Sequence, residues 1–384
     1  MANNANLHSA KDAKNDEFYT QFSDIESEMN AYVEYNPDVF RNKTILLPCD
    51  DPEWSNFTKY FATNFERFGL KKLISTSYAR GAGNKQITLF ELESPIYDAN
   101  KHETHGKLFT LTRDTDNSGR VDLDDIEFNG YLEGDGDFRS PEVTALRDES
   151  DIIITNPPFS LFREFIEWIL EGDKKFIILG NMNAITYSEV FPLLMHNQIW
   201  TGNGKFGGGM DMIFPSTDFD ASKVSKYRVD ENGNYIVNIM GVIWFTNVDL
   251  YKRHEELLLD TMAHNLKYNK KLKKKFEELY DSADYPHFDN YDAIEVPFVE
   301  CIPSDYLGVM GVPVTFLEKH NPNQFEILGI TDRNNKFGLT TKVYTREDGP
   351  NFSDFNRRAA VRLPDGTLKG TYARLLIRRK EQKQ

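Results

Sequence analysis

The chain has 384 residues, 40% of them hydrophobic and 27% charged, the make-up of a soluble globular protein long enough for about two domains. No run of about 18 apolar residues occurs, which argues against a membrane-spanning helix, and the two cysteines, Cys49 and Cys301, form no metal motif and fit free thiols in a reducing cytoplasm. A net charge of -15 argues against general electrostatic attachment to nucleic acid and leaves that work to local basic stretches.

Residues 1–15 are polar, with Lys11 and Lys14 but no apolar core, and read as a short disordered lead rather than a signal peptide or anchor. Thr44-Ile-Leu-Leu47 is a buried strand that stops in the loop Pro48-Cys-Asp-Asp-Pro52. Residues 56–68 carry Phe57, Phe61 and Phe65 at helical spacing, and 72–75 are a second strand. Residues 86–133 read as paired strands and turns. Within them, Asp114-Thr-Asp-Asn-Ser-Gly-Arg-Val-Asp-Leu-Asp-Asp125 is close to a calcium loop. Its twelfth position is Asp rather than Glu, and a strand precedes it, so a polar hairpin is expected and no metal is assigned.

Residues 151–155 are a further buried strand, 161–170 a helix with a strong apolar face, 175–180 a strand, 187–195 a helix, and 235–247 a stretch that alternates and then runs apolar. Strands alternating with helices predict an α/β fold, a mostly parallel sheet covered on both faces. The pattern changes near residue 250, giving a lead over 1–15, a catalytic domain over 16–250 and a further region over 251–384. Two basic stretches stand out, 267–275 and 373–380; the plain reading of each is a solvated helix face or a strand end.

Asn156-Pro157-Pro158-Phe159 lies between a strand and a helix, at the sheet edge where open α/β sheets gather ligands. Two prolines fix the backbone and remove two N–H donors, leaving carbonyls to accept hydrogen bonds in a rigid turn. The Asn156 side-chain oxygen accepts another, and Phe159 offers a flat apolar face. An exocyclic amine has two protons for such acceptors, and holding both orients its nitrogen for attack.

This motif resembles the catalytic signature of amino-group DNA methyltransferases. Asp16-Glu-Phe-Tyr-Thr-Gln-Phe-Ser-Asp-Ile-Glu26 resembles the N-terminal cofactor motif of adenine methyltransferases. Cys49-Asp-Asp-Pro52 with Ser55-Asn-Phe57 and Tyr60-Phe61 resembles the cofactor loop of the EcoRI-type modification methyltransferases, as do Tyr291-Asp-Ala-Ile-Glu-Val296 and Gly308-Val-Met-Gly-Val-Pro-Val-Thr-Phe316.

The resemblance implies a Rossmann-like S-adenosylmethionine-dependent fold with a C-terminal DNA-recognition region, and site-specific methylation of adenine N6 in double-stranded DNA. Asn156 and Pro157 would accept from the amine, and Phe159 would stack on the base. Tyr19 and Thr20 are implied contacts to the carboxylate end of S-adenosylmethionine, Asp50 or Asp51 to its ammonium, and Asp137, in preference to Asp135, to its adenine amine. The target base must leave the duplex stack, and Trp244 or Phe245 would pack it, the other being core. Lys205, in the Gly-rich loop 202–210, with Arg357 and Arg358, is expected to contact DNA, as are Asn351 and Asn356.

The loop after the first strand lacks its usual glycines, and the second strand ends without a ribose-binding acid. The reading further implies a cytoplasmic monomer, no membrane association, and a cognate restriction endonuclease system without required contact. RNA or protein amines as substrates, and a non-enzymatic DNA- or calcium-binding module, are the rival readings.

Overall fold

The computed structural model describes residues 19–52, 55–79, 96–214, 224, 226–231, 233–332, 337 and 339–380. The expected disordered lead and the part of the paired-strand stretch over 86–95 lie outside them. The chain divides into two compact units, residues 1–182 with 201–250 and residues 183–200 with 251–384.

The first unit opens with β1 (Tyr19–Thr20) and α1 (Phe22–Tyr35). Its main sheet follows: β2 (Thr44–Leu47), β3 (Lys72–Thr76), β4 (Lys107–Leu111), β5 (Glu127–Tyr131), β6 (Ile152–Thr155), β7 (Lys175–Asn181), then β8 (Trp200–Thr201), where the chain passes between units. β9 (Met210–Phe214), β10 (Arg228–Val229), β11 (Tyr235–Ile239) and β12 (Val242–Thr246) complete the strands. The main sheet runs β5-β4-β3-β2-β6-β7-β12-β8. Its centre, β3-β2-β6-β7, is parallel; β4, β5 and β12 are antiparallel to their neighbours, so the sheet is mixed. Central strands buried on both faces need continuous apolar runs, which Thr44-Ile-Leu-Leu47 and Ile152-Ile-Ile-Thr155 supply.

The predicted helix over 56–68 forms as α2 (Asn56–Thr63) and α3 (Phe65–Phe68). Ser55 caps α2, its hydroxyl accepting from Phe57 and Thr58 N–H at 3.1 and 3.4 Å. After α4 (Pro141–Glu149), α5 (Phe162–Glu171) buries Phe162, Phe165, Ile166 and Ile169, each contributing about 2 kcal/mol at most. Successive residues of β12 point to opposite faces. Trp244 meets Phe57 of α2 edge-on at 6.0 Å, and Phe245 meets Phe162 of α5 at 5.1 Å, so helices cover both faces.

The stretch 235–247 is two strands rather than one. Gly241, with φ +79°, turns the chain, and β11 joins a separate antiparallel sheet, β1-β9-β11-β10.

In the second unit the predicted helix over 187–195 is shorter, α6 (Phe191–Met195). Residues 183–200, read from the sequence as catalytic, group with this unit: Phe191 is buried and meets the Phe337 ring at 5.7 Å. The unit continues with α7 (Met262–Tyr268), α8 (Lys270–Tyr280), β13 (Ile294–Glu295), β14 (Met310–Pro313), β15 (Phe325–Ile330), α9 (Phe352–Phe355), β16 (Ala360–Arg362), β17 (Leu368–Gly370) and β18 (Arg374–Arg379). Its sheet runs β13-β14-β18-β15, beside the hairpin β16-β17. The C-terminal basic stretch is partly structural, since Arg374 is buried and pairs with the buried Glu295 at 2.7 Å. No helix among the described residues is long and apolar enough to cross a membrane.

Candidate active site

The carboxyl ends of β2, β3 and β6 converge on Asp50. Its N–H donates to Thr76 O at 2.7 Å, tying the loop after β2 to the end of β3. Its carboxylate accepts from the Ser55 hydroxyl at 2.6 Å and from the Thr155 hydroxyl at 2.5 Å. The Thr58 and Ser75 hydroxyls donate to its carbonyl. Burial pushes the Asp50 carboxyl up to about 7, against the opposing pull of the Ser55 and Thr155 hydroxyls. Both carboxylate oxygens are thus engaged inside the protein. Asp51 is the more open acid of the pair, in a 3.3 Å ion pair with the largely buried Lys107.

The loop lacks glycine yet makes a glycine-like turn. Cys49 has φ +68°, a conformation that costs an L residue about 1–2 kcal/mol. Burial, then the carboxylates of Asp50 and Asp137, push its thiol up to about 12. The influence of Asp137 on Cys49 brings the Gly134-Asp-Gly-Asp-Phe138 turn to this loop. Asp137 accepts from Arg139 Nε and Nη2 at 2.9 and 2.6 Å, and this pairing holds its carboxyl below the usual range. Asp135 bonds to the Tyr78 phenol and accepts the Asp137 N–H at 3.0 Å. A Cβ at Gly106 or Gly136 would collide with the Ser77 carbonyl, so the backbone after β3 is approached closely from two sides.

Asn156 follows the buried Thr155, so the Thr155–Asp50 bond pins the start of the Asn-Pro-Pro-Phe turn to the neighbouring loop. Asn156 is half-buried with its side-chain oxygen shielded from solvent; Pro157 is buried, and Phe159 is partly exposed. The Pro158 carbonyl accepts the Leu161 N–H at 2.9 Å and is committed to starting the helix. The Phe162 ring fills the space a Cβ on Gly180 would need, setting α5 close against β7.

Tyr19 and Thr20 reach the same region through Asn56, whose side-chain amide donates to Thr20 O at 2.8 Å. The Thr20 hydroxyl is buried with no hydrogen-bond partner among the described residues. The region thus offers an orphaned hydroxyl and a half-open acid, polar groups that fit a small zwitterionic ligand.

Trp244 and Phe245 are both core, 2% and 0% exposed, because β12 is an interior strand covered on both faces. Arg358 is tied to Asp354 at 2.7 Å and its stem packs on Gly370, whereas Arg357 and Lys205 are exposed. Asn351 is exposed, but Asn356 clasps the backbone of Tyr344, accepting its N–H and donating to its carbonyl, both at 2.8 Å.

The Asp114 loop is a polar hairpin between the paired strands β4 and β5. Asp114, Asp116 and Asp125 place carboxylate oxygens within 4.8 Å of one another, but Asp125 accepts the N–H groups of Thr115 and Asp122 at 2.6 and 3.0 Å.

Sequence reasoning missed Thr155, Lys107 and Glu28, which no local signal marks, and named Ser55 only within the loop motif, although a Ser before a helical run signals a cap. Glu28 of α1 is buried and accepts the N–H groups of Asn203 and Gly204 at 2.8 and 3.0 Å. The Gly-rich loop is therefore latched at its base, where a Cβ on Gly202 would strike that carboxylate and Trp244.

Comparison with known proteins identifies the family. The family described as adenine-specific methyltransferase EcoRI matches residues 6–380. The type II methyltransferase M.EcoRI of Escherichia coli is 42% identical over 332 residues, 85% of this chain and 90% of that protein. M.MpnI of Mycoplasma pneumoniae is 33% identical over 324 residues, 83% of each chain. M.MgeORF184P of Mycoplasma genitalium is 34% identical over 322 residues, 83% of this chain and 84% of that protein. No solved structure gives a significant match. The α/β methyltransferase architecture that the sequence led us to expect is present, with a mixed sheet in place of the mostly parallel one, and the chain belongs to the EcoRI family of adenine-specific methyltransferases.

Proposed function

We propose that this enzyme transfers a methyl group from S-adenosylmethionine directly to N6 of an adenine flipped out of duplex DNA. The observation that carries the reading is the Asn156-Pro-Pro-Phe turn, pinned by Thr155 to Asp50 at the carboxyl edge of the sheet. The Asn156 oxygen and the Pro157 carbonyl accept the two amine protons, which holds the nitrogen lone pair toward the incoming carbon. Phe159 stacks on the base. The cofactor supplies a methyl group already activated as a sulfonium, so no covalent enzyme intermediate is needed. The N–C bond forms as the C–S bond breaks, and one amine proton leaves to solvent.

Thr20 and Tyr19 bind the carboxylate end of the cofactor, Asp51 its ammonium beside Lys107, and Asp137 or Asp135 its adenine amine. Asp50 holds the loop rather than the ligand, because both its oxygens are engaged. Lys205 and Arg357 face DNA, and residues 251–384 carry recognition. The protein works as a cytoplasmic monomer, without required contact to a companion endonuclease.

The test is transfer of a labelled methyl group to mixed plasmid DNA. Wild type forms N6-methyladenine, and Asn156→Ala lowers the rate about 100- to 1000-fold with cofactor binding intact. Labelling of RNA or protein instead would replace the substrate, and a fully active Asn156→Ala would remove the turn from the chemistry.

A further inference from the structure

Residues 267–275 hold six lysines in nine positions, in a chain where acids outnumber Lys and Arg by 60 to 45. They span the end of α7 and the first turns of α8. Leu272, Phe276 and Tyr280 are buried on one stripe of α8 and fix its orientation. Lys267, Lys270, Lys271, Lys273 and Lys274 are exposed, beside Tyr268, whose ring is 59% exposed with the Lys267 ammonium 4.8 Å from its centroid. Lys274 pairs with Glu278 at 3.6 Å; Lys267, Lys270, Lys271 and Lys273 make no ion pair among the described residues.

This arrangement works against the stability of α8. A helix favours acids at its amino end and bases at its carboxyl end, and α8 has the reverse order, lysines first and Glu277 and Glu278 in its last turn. Lys270 and Lys274, and Lys271 and Lys275, are like charges one turn apart on α8, which also repel. A face meant only for solvation would carry mixed signs. A polyanion laid across it would remove both conflicts.

We infer that the lysine face of α7 and α8 docks the phosphate backbone of duplex DNA, independently of base sequence. This rests on the proposed function and extends it, since within the region given to recognition it assigns sequence-independent affinity to one named surface. Phosphate contacts release counterions, so each steepens the salt dependence of binding by about 0.9 in log–log slope.

The experiment compares wild type with Lys270→Glu/Lys271→Glu/Lys273→Glu, titrating a random-sequence duplex between about 50 and 200 mM salt. The expected result is a slope shallower by about 2–3 and an affinity lower at least about tenfold at the low-salt end. The thermal midpoint should hold or rise, because acids now sit at the amino end of α8. That pairing of unchanged or better stability with weaker binding separates docking from misfolding. An unchanged slope and affinity in a folded variant overturns the inference while leaving the proposed reaction standing. Wild-type protein that neither binds nor methylates DNA overturns both.

Discussion

Two acidic loops in the first unit have similar composition and opposite physics. Asp50 is buried, and its carboxylate is met by one hydroxyl from its own loop, Ser55, and by one from a strand more than a hundred residues away, Thr155. Asp125 is met almost entirely by its own hairpin: the N–H groups of Thr115, Asp116 and Asp122 and the Thr115 hydroxyl. Burial raises the first carboxyl to about 7, whereas hydrogen bonds, that of the Thr115 N–H foremost, lower the second to about 2. The role of an acid thus follows from where its donors originate. Donors from distant strands weld a site together; donors from the same turn shape only that turn.

The most direct way to break this contrast is to remove each acid. Asp50→Ala removes the carboxylate that the Ser55 and Thr155 hydroxyls meet and loosens the Asn156 turn; a loss of about 3 kcal/mol is expected in urea unfolding, with methyl transfer falling too. Asp125→Ala should cost less and leave methyl transfer near wild type. If the Asp125 variant proves the more damaging to activity, the hairpin has a role in the site that its geometry does not express.

A second measurement tests the sign of the two shifts. Between an unfolded value of about 4 and its folded value of about 7, Asp50 keeps a proton that the unfolded chain releases, so its contribution to stability falls as pH rises through that window. Asp125 acts oppositely: its contribution is present above about pH 4 and is lost as pH falls through about 2. Unfolding free energies of wild type at about pH 5 and about pH 8 should decline, and Asp50→Asn should flatten that decline. Equal declines in both proteins would mean that Asp50 is not the group responsible.

The smallest effect lies at Cys49, the left-handed residue of the Asp50 loop. Cys49→Gly removes the Cβ strain but adds unfolded-chain freedom, and stability should stay within about 1 kcal/mol of wild type. Cys49→Val puts a β-branched residue at φ +68° and should lose about 2 kcal/mol, with weaker cofactor binding measured by calorimetry. Equal stability of the two variants would show that the loop relaxes away from this turn.

The parallel strands and the Asn156 turn were legible because their signals are local. A continuous apolar run, a proline pair and a helical spacing are each complete within about ten residues. The two strands hidden in 235–247 were less so, since nothing in Met240-Gly241 announces that the strands on either side enter different sheets. The partial burial of Phe159, the core burial of Trp244 and the latch from Glu28 to Asn203 and Gly204 lay beyond reach of any window.

By itself, the sequence determined the α/β class, the strand-ending Asn-Pro-Pro-Phe turn, and family membership. Tertiary structure alone decided which acid faces inward at Asp50 and which stays more open at Asp51, and that Cys49 takes the place of a glycine. It also decided which lysines around α8 project from the fold. The physical reason is range: backbone propensity and hydrophobic period act between neighbours, whereas burial, carboxyl protonation and hydrogen-bond satisfaction depend on groups such as Thr155 that are distant in sequence and adjacent only once folded.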